Sequence, residues 1–132
     1  MSADPLRPSV LVVDDNVASG DLLQEILSLE GYTARVARSG QDALTVTRDF
    51  VPEVILLDIG LPDTDGFTLA RLLRTDARLA HTHLVALSGY AHSQTEEHAR
   101  EKVFDQYLVK PVDIERLLSL LNSIHGRSAP QR

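Results

Sequence analysis

Four short runs of uninterrupted apolar residues, rich in β-branched side chains, recur along this chain: Val10-Leu11-Val12-Val13, Val54-Ile55-Leu56-Leu57, Leu84-Val85-Ala86-Leu87 and Tyr107-Leu108-Val109. A run with no polar alternation leaves no side for water, so each reads as a strand buried on both faces. Sheets covered on both faces are parallel sheets flanked by helices. A fifth stretch, Tyr32-Thr33-Ala34-Arg35-Val36-Ala37, alternates instead, and reads as an edge strand with one face less covered.

Helical patterns lie between these strands. Ala18, Leu22, Ile26 and Leu29 share one stripe of a first helix, which is expected to end at Gly31, a residue suited to the position after a C-cap. Ser39 is placed to cap a second helix carrying Ala43, Leu44, Val46 and Phe50, with Asp42 three residues on. Asp65-Gly66 opens a third, with Leu69, Leu72 and Leu73. Ser93 and Glu96 form an S-x-x-E box ahead of a fourth, which offers a core little beyond Ala99 and Val103. Asp113 caps the last helix, whose Ile114, Leu117, Leu118 and Leu121 form a strong stripe. With Leu120 and Ile124 its apolar arc widens to about 160°, more than a core-facing stripe needs. A strand–helix pair repeated five times predicts an α/β fold, a doubly wound parallel sheet of five strands. The 132 residues leave room for one such domain, over 9–125, with a flexible segment 1–8 before it and a polar tail 126–132 after it.

Composition removes several kinds of function. The net charge of −6 disfavours binding to nucleic acid or to an anionic membrane by general electrostatics. With no Cys, disulfides, thiolate metal sites and Cys nucleophiles are excluded. The apolar runs are too short to cross a bilayer, and Met1 to Pro8 has no apolar segment of the signal-peptide kind. The expected location is the cytoplasm.

In an open α/β sheet, ligands bind beyond the carboxyl ends of the strands, where strand order reverses. The first strand ends in Asp14-Asp15, the third in Asp58, the fourth in Ser88-Gly89 and the fifth in Lys110-Pro111. Any one of these could be a wet strand end or a helix cap. Together they place three carboxylates, a hydroxyl and a cation on one rim. Three adjacent carboxylates repel one another unless neutralised. Lys110 supplies one positive charge and a divalent cation two. All-oxygen ligation by few protein groups suits Mg2+, which keeps some of its waters for exchange with a phosphoryl group. The rim reads as a Mg2+–phosphate cradle.

From about Ser9 to Ser123 the chain resembles the receiver domain of bacterial two-component response regulators. The resemblance is carried by the acidic pair Asp14-Asp15, the segment Leu56-Leu57-Asp58-Ile59-Gly60-Leu61-Pro62-Asp63-Thr64-Asp65-Gly66, Ser88, and Lys110-Pro111 with Tyr107 three residues before the lysine. It implies a flavodoxin-like (βα)5 fold with strand order 2-1-3-4-5. It implies that Asp58 accepts a phosphoryl group from a phosphohistidine on a histidine kinase or a histidine phosphotransfer protein. Asp15 would bind Mg2+ directly, Asp14 would assist, Asp58 would join them, and the backbone carbonyl of Gly60 would complete the protein ligands. Lys110 would pair first with Asp58 and later with the phosphoryl group. Ser88 and Tyr107 would act as the switch, and Lys110-Pro111 would be a cis peptide. The product would be a signalling protein rather than a turnover enzyme. It would act on a downstream protein or on itself through the Ser93–Val103 helix, the Gln106–Val109 strand and the Ile114–Ile124 helix. A stand-alone regulator is the first expectation; a receiver cut from a hybrid kinase or a larger regulator is the alternative.

Some positions depart from the usual pattern of that family: Ser88 where Thr is commoner, Gly60 with no side chain beside the acceptor, Tyr90 two after Ser88, and Val103 where Gly is usual. Two other classes fit less well. A haloacid-dehalogenase-type phosphatase wants a second acid where Gly60 stands, and a flavin binder wants a phosphate loop where Asp14-Asp15 would repel the phosphate. The pair His81 and His83 has no neighbouring ligand in sequence to make a metal site.

Overall fold

The computed structural model describes residues 9–61, 63–88 and 103–128, with side chains to 124. Strands β1 (Ser9–Val13), β2 (Thr33–Ala37), β3 (Val54–Asp58), β4 (His83–Ser88) and β5 (Gln106–Val109) form one parallel sheet in the order β2-β1-β3-β4-β5. The alternating stretch is the β2 edge, as its pattern requires. Four helices are described: α1 (Val17–Leu29), α2 (Gly40–Val46), α3 (Gly66–Arg74) and α4 (Ile114–Ser128). Gly89, Tyr90 and the expected Ser93–Val103 helix lie outside the described residues, apart from Val103, which is buried in the core. No helix among the described residues is long and apolar enough to cross a membrane.

The uninterrupted strands are buried on both faces because each face has its own core. Leu11, Val13, Ile55, Leu57, Leu84 and Ala86 point towards α2 and α3, and pack with Ala43, Phe67 and Leu73. Val10, Val12, Val54, Leu56, Val85 and Leu87 point the other way, and pack with Leu23 and Leu27 of α1 and Leu117 and Leu121 of α4. Strand periodicity of two thus divides one apolar run between two layers.

The helix ends follow local chemistry. The Asn16 side chain caps α1 by accepting from the Ser19 amide at 2.9 Å. At the other end the Tyr32 N–H reaches the Leu27 carbonyl and the Gly31 N–H that of Ser28, with Gly31 at φ 93°. This is the paired-bond termination that needs a left-handed residue, which glycine supplies without strain. Ser39, Asp65 and Asp113 cap α2, α3 and α4 as expected.

Three packing expectations need correction. In α1 the buried residues are Gly20, Leu23 and Leu27, whereas Leu22 is 58% and Leu29 75% exposed. The helix is rolled so that Gly20 lies against β2, where a Cβ would stand 3.1 Å from Val36 Cγ1. In α3, Leu72 is exposed, and Phe67 and Ala70 take core positions beside Leu69 and Leu73. In α4, Ile124 is buried and Leu120 packs against the core, so the wide apolar arc is largely spent inside the fold. Helix α2 is also shorter than its periodicity to Phe50 suggests. The Thr47 hydroxyl donates to the Ala43 and Leu44 carbonyls at its end, and Phe50 packs from beyond the helix.

Candidate functional site

Register brings the site together. Val13 pairs with Leu57 across β1 and β3, and Asp58 pairs with Leu87 across β3 and β4. Asp14, Asp58 and Ser88 therefore stand side by side at the carboxyl edge of the three central strands. Strand order reverses at β1, with β2 on one side and β3 on the other, so the loops after β1 and β3 diverge and leave a crevice above them. Asp15 follows Asp14 into that crevice and is exposed.

Lys110 enters from the end of β5. Its Nζ donates to Asp58 Oδ2 at 2.9 Å and lies 3.8 Å from Asp14 Oδ2. The Lys110-Pro111 peptide is cis, and the Lys110 N–H donates to the Ser88 carbonyl at 2.8 Å. The other Asp58 oxygen, Oδ1, accepts the Gly60 N–H at 3.0 Å. Asp14 is buried, and its Oδ1 accepts the Asn16 N–H at 2.9 Å. Oxygens of Asp14, Asp15 and Asp58 lie within 4.8 Å of one another. Among the described residues, neither Asp14 Oδ2 nor the Ser88 hydroxyl has a hydrogen-bond partner, although both are buried.

Those two orphan atoms test the fit of a cation and its phosphoryl partner. A buried carboxylate oxygen without a hydrogen bond carries a desolvation cost that a bound cation would offset. Three carboxylates and one ammonium leave two negative charges, which one Mg2+ would balance. The donor set is oxygen throughout, as Mg2+ prefers. The residues present fit the ion. Asp15 is the carboxylate that faces solvent, while Asp14 is already committed through one oxygen to the loop. Mg2+ binding is therefore expected to be weak in the intact protein and abolished in Asp15→Ala, measured by calorimetric titration; unchanged affinity would remove Asp15 from the site.

The loop from Asp58 to Gly66 is held at both ends. Gly60 and Asp65 form an isolated antiparallel bridge, and the Gly66 N–H donates to the Ile59 carbonyl at 3.0 Å. Gly66 is obligatory at this close approach: a Cβ there would stand 2.6 Å from Ile59 Cα. Among the described residues, a Cβ added at Gly60 would meet only Asp58 Oδ1, at 3.8 Å. Asp63, which the sequence reading gave no role, reaches across to α2. Its oxygens accept the Gly40 and Gln41 N–H groups at 2.9 and 3.0 Å. The Gly40 bond, then the Gln41 bond, hold its carboxyl below the usual value of 3.8. The stability this tie supplies is therefore present above that value and lost as the pH falls through the lowered one.

Tyr107 is half-buried, its ring edge-on to Phe104 with centroids 5.6 Å apart, and Phe104 in turn meets Phe67 of α3 at 5.3 Å. An aromatic ladder thus runs from α3 to the strand beside Ser88. On the opposite side of the rim, a cleft of about 450 Å3 opens between α1 and the segment after β5, lined by Asp14, Leu22, Lys110, Pro111 and Ile114 among others.

A family model for the response regulator receiver domain matches residues 10–122. The polar-differentiation response regulator DivK of Brucella ovis is 31% identical over 121 residues, covering 92% of this chain and 98% of that protein. Among solved structures, a CheY-like receiver domain from Methylobacillus flagellatus is 34% identical with a TM-score of 0.79, covering 88% of this chain and 97% of that one. The receiver domain of the Francisella response regulator 1452 superposes with a TM-score of 0.81 at 27% identity, covering 92% and 99%. With the acidic rim, the lysine and the strand order in place, the chain belongs to the response regulator receiver domain family of two-component signalling.

Proposed function

We propose that this protein accepts a phosphoryl group on Asp58 from a phosphohistidine of a histidine kinase or phosphotransfer protein, and thereby switches a surface that binds another protein. The observation that supports this most directly is the Asp58 carboxylate held between Lys110 Nζ and the Gly60 N–H beside two further acids. Phosphoryl transfer needs positioning and charge neutralisation more than acid–base groups, and the described residues of this rim supply those. An Asp58 carboxylate oxygen forms a bond to phosphorus as the bond to the donor imidazole breaks. The electron pair leaves with the ring, whose other nitrogen carries the proton. Asp14, Asp15, Asp58 and the Gly60 carbonyl would hold Mg2+, which when bound neutralises charge on the carboxylates and the phosphoryl oxygens. Lys110 moves its ammonium from the Asp58 carboxylate to the phosphoryl group.

The donor has to reach the rim from outside, and the cleft beside α1 adjoins Lys110, with Leu22 exposed along it. That is the surface the donor would cover. Transfer turns Asp58 from one negative charge to about two. The surplus draws in the Ser88 hydroxyl, which otherwise lacks a hydrogen bond among the described residues. Its movement opens space on the β5 side for Tyr107. The output surface is then the Ser93–Val103 segment, β5 with its exposed Val109, and α4, meeting a downstream protein or a second copy. The protein would work in the cytoplasm, as a switch and not as a turnover enzyme.

Hydrogen exchange with and without Mg2+ and beryllofluoride, a phosphoryl mimic, tests the whole reading. Protection should change in the loops bearing Asp15 and Asp58 and also from Ser88 to Val109. Changes confined to the two loops would leave the chemistry and remove the switch. No change anywhere would remove both.

A further inference from the structure

We propose that Asp63 is a positioning residue for the cation site: it ties the loop that carries Gly60 to the first turn of α2. The inference rests on the reading that Mg2+ binds beside Asp58. Asp63 belongs to the segment between β3 and α3, whereas Gly40 and Gln41 stand more than twenty residues earlier, at the start of a helix with no side chain in the rim. Each oxygen of the carboxylate takes one amide, so both are engaged in the tie. The contact is close as well as polar. A Cβ on Gly40 would run into Thr64 Cγ2, and would stand 3.4 Å from Asp63 Oδ1, so any side chain there would force Thr64 or the loop to shift.

The tie also divides the work of capping α2. Ser39 Oγ accepts the Asp42 N–H at 3.0 Å and the Ser39 carbonyl accepts the Ala43 N–H. The Ala43 bond is the helix's own first i→i−4 bond, so of the amides the helix leaves unpaired Ser39 meets that of Asp42. Those of Gly40 and Gln41 are met by the loop from β3. A residue serving only the helix would sit in the helix's own approach. Asp63 instead fastens the tip of a loop whose base is already pinned by the Gly60–Asp65 bridge and the Gly66 N–H. Gly60 stands at that base, and its carbonyl direction is set by the peptide planes on either side. Fastening the tip limits how those planes can rotate. Groups behind metal ligands commonly change affinity about tenfold or more when removed.

Calorimetric titration of Mg2+ into the intact protein and four variants decides the matter, with thermal unfolding measured alongside. Asp63→Ala is expected to raise the Mg2+ dissociation constant about tenfold. Asp63→Asn keeps one acceptor oxygen and should fall between it and the natural protein; it also serves if the alanine variant does not fold. Gly40→Ala, which keeps the carboxylate itself but crowds the loop at Thr64 and Asp63 Oδ1, should weaken Mg2+ in the same way. Ser39→Ala removes a cap from the same helix but not the tie, so it should lower the unfolding temperature and leave Mg2+ binding within about twofold of the natural protein. Unchanged affinity in both Asp63 variants would overturn the proposal, as would an equal loss in Ser39→Ala, which would make Asp63 a helix cap and nothing more. If the natural protein bound Mg2+ while the Asp63 variants bound it equally, the cation site would stand and only this role would fall. If the natural protein bound none, the reading of the site would fall first and this role with it.

Discussion

Replacing Asp58 by Asn is expected to reduce phosphate incorporation to background. With a small phosphodonor and Mg2+, the natural protein should gain one acid-stable, base-labile phosphoryl group per chain by intact mass, and Asp58→Asn none. The substitution is close to isosteric, and its amide oxygen can still accept the Gly60 N–H that Oδ1 accepts at 3.0 Å. What it loses is the anionic oxygen that attacks phosphorus and that holds Lys110 at 2.9 Å. Removing one of three mutually repelling carboxylates should leave stability unchanged or raised, so loss of labelling cannot be put down to unfolding. A variant labelled as well as the natural protein would mean that the phosphoryl group goes elsewhere.

The second expectation concerns which side of α1 faces the sheet. Leu27 is fully buried against Val10, Val12 and α4, whereas Leu29 is 75% exposed. Leu27→Ala should cost about 2–5 kcal/mol, the transfer energy of the lost methyl groups together with the cavity they leave. Leu29→Ala should change stability by no more than about 0.5 kcal/mol. Urea unfolding of the two variants measures the contrast. Similar losses in both would mean that the helix is rolled the other way. The difference matters for function, because the outward roll leaves Leu22 exposed in the cleft that adjoins Lys110.

Local chemistry was enough for the strands, the caps and most of the rim. An unbroken run such as Val54–Leu57 admits few alternatives to a strand covered on both faces, and Ser39, Asp65, Asp113 and Gly31 act on backbone groups within a turn of themselves. Asp14, Asp15, Asp58, Ser88 and Lys110 were legible for a related reason. Each ends or directly follows a strand, and parallel strands must place those ends on one edge.

The phase of α1 was not legible. Two apolar stripes, Leu23 with Leu27 and Leu22 with Leu29, are centred about 130° apart on that helix, and either could have faced the core. The choice falls to Gly20, whose missing side chain lets the helix lie against Val36 on a strand that the local pattern does not mention. Phe67 is inconspicuous in the sequence for the same reason, since its partner Phe104 is remote along the chain. Asp63 was the least visible of all. Read locally it is one more acid in a turn, and its meaning comes from two amides on α2 that only the folded sheet brings within 3.0 Å. Sequence settles what a residue does to its own turn. Only tertiary structure settles which distant backbone it meets, because that depends on how helices roll and loops lean after the strands have paired.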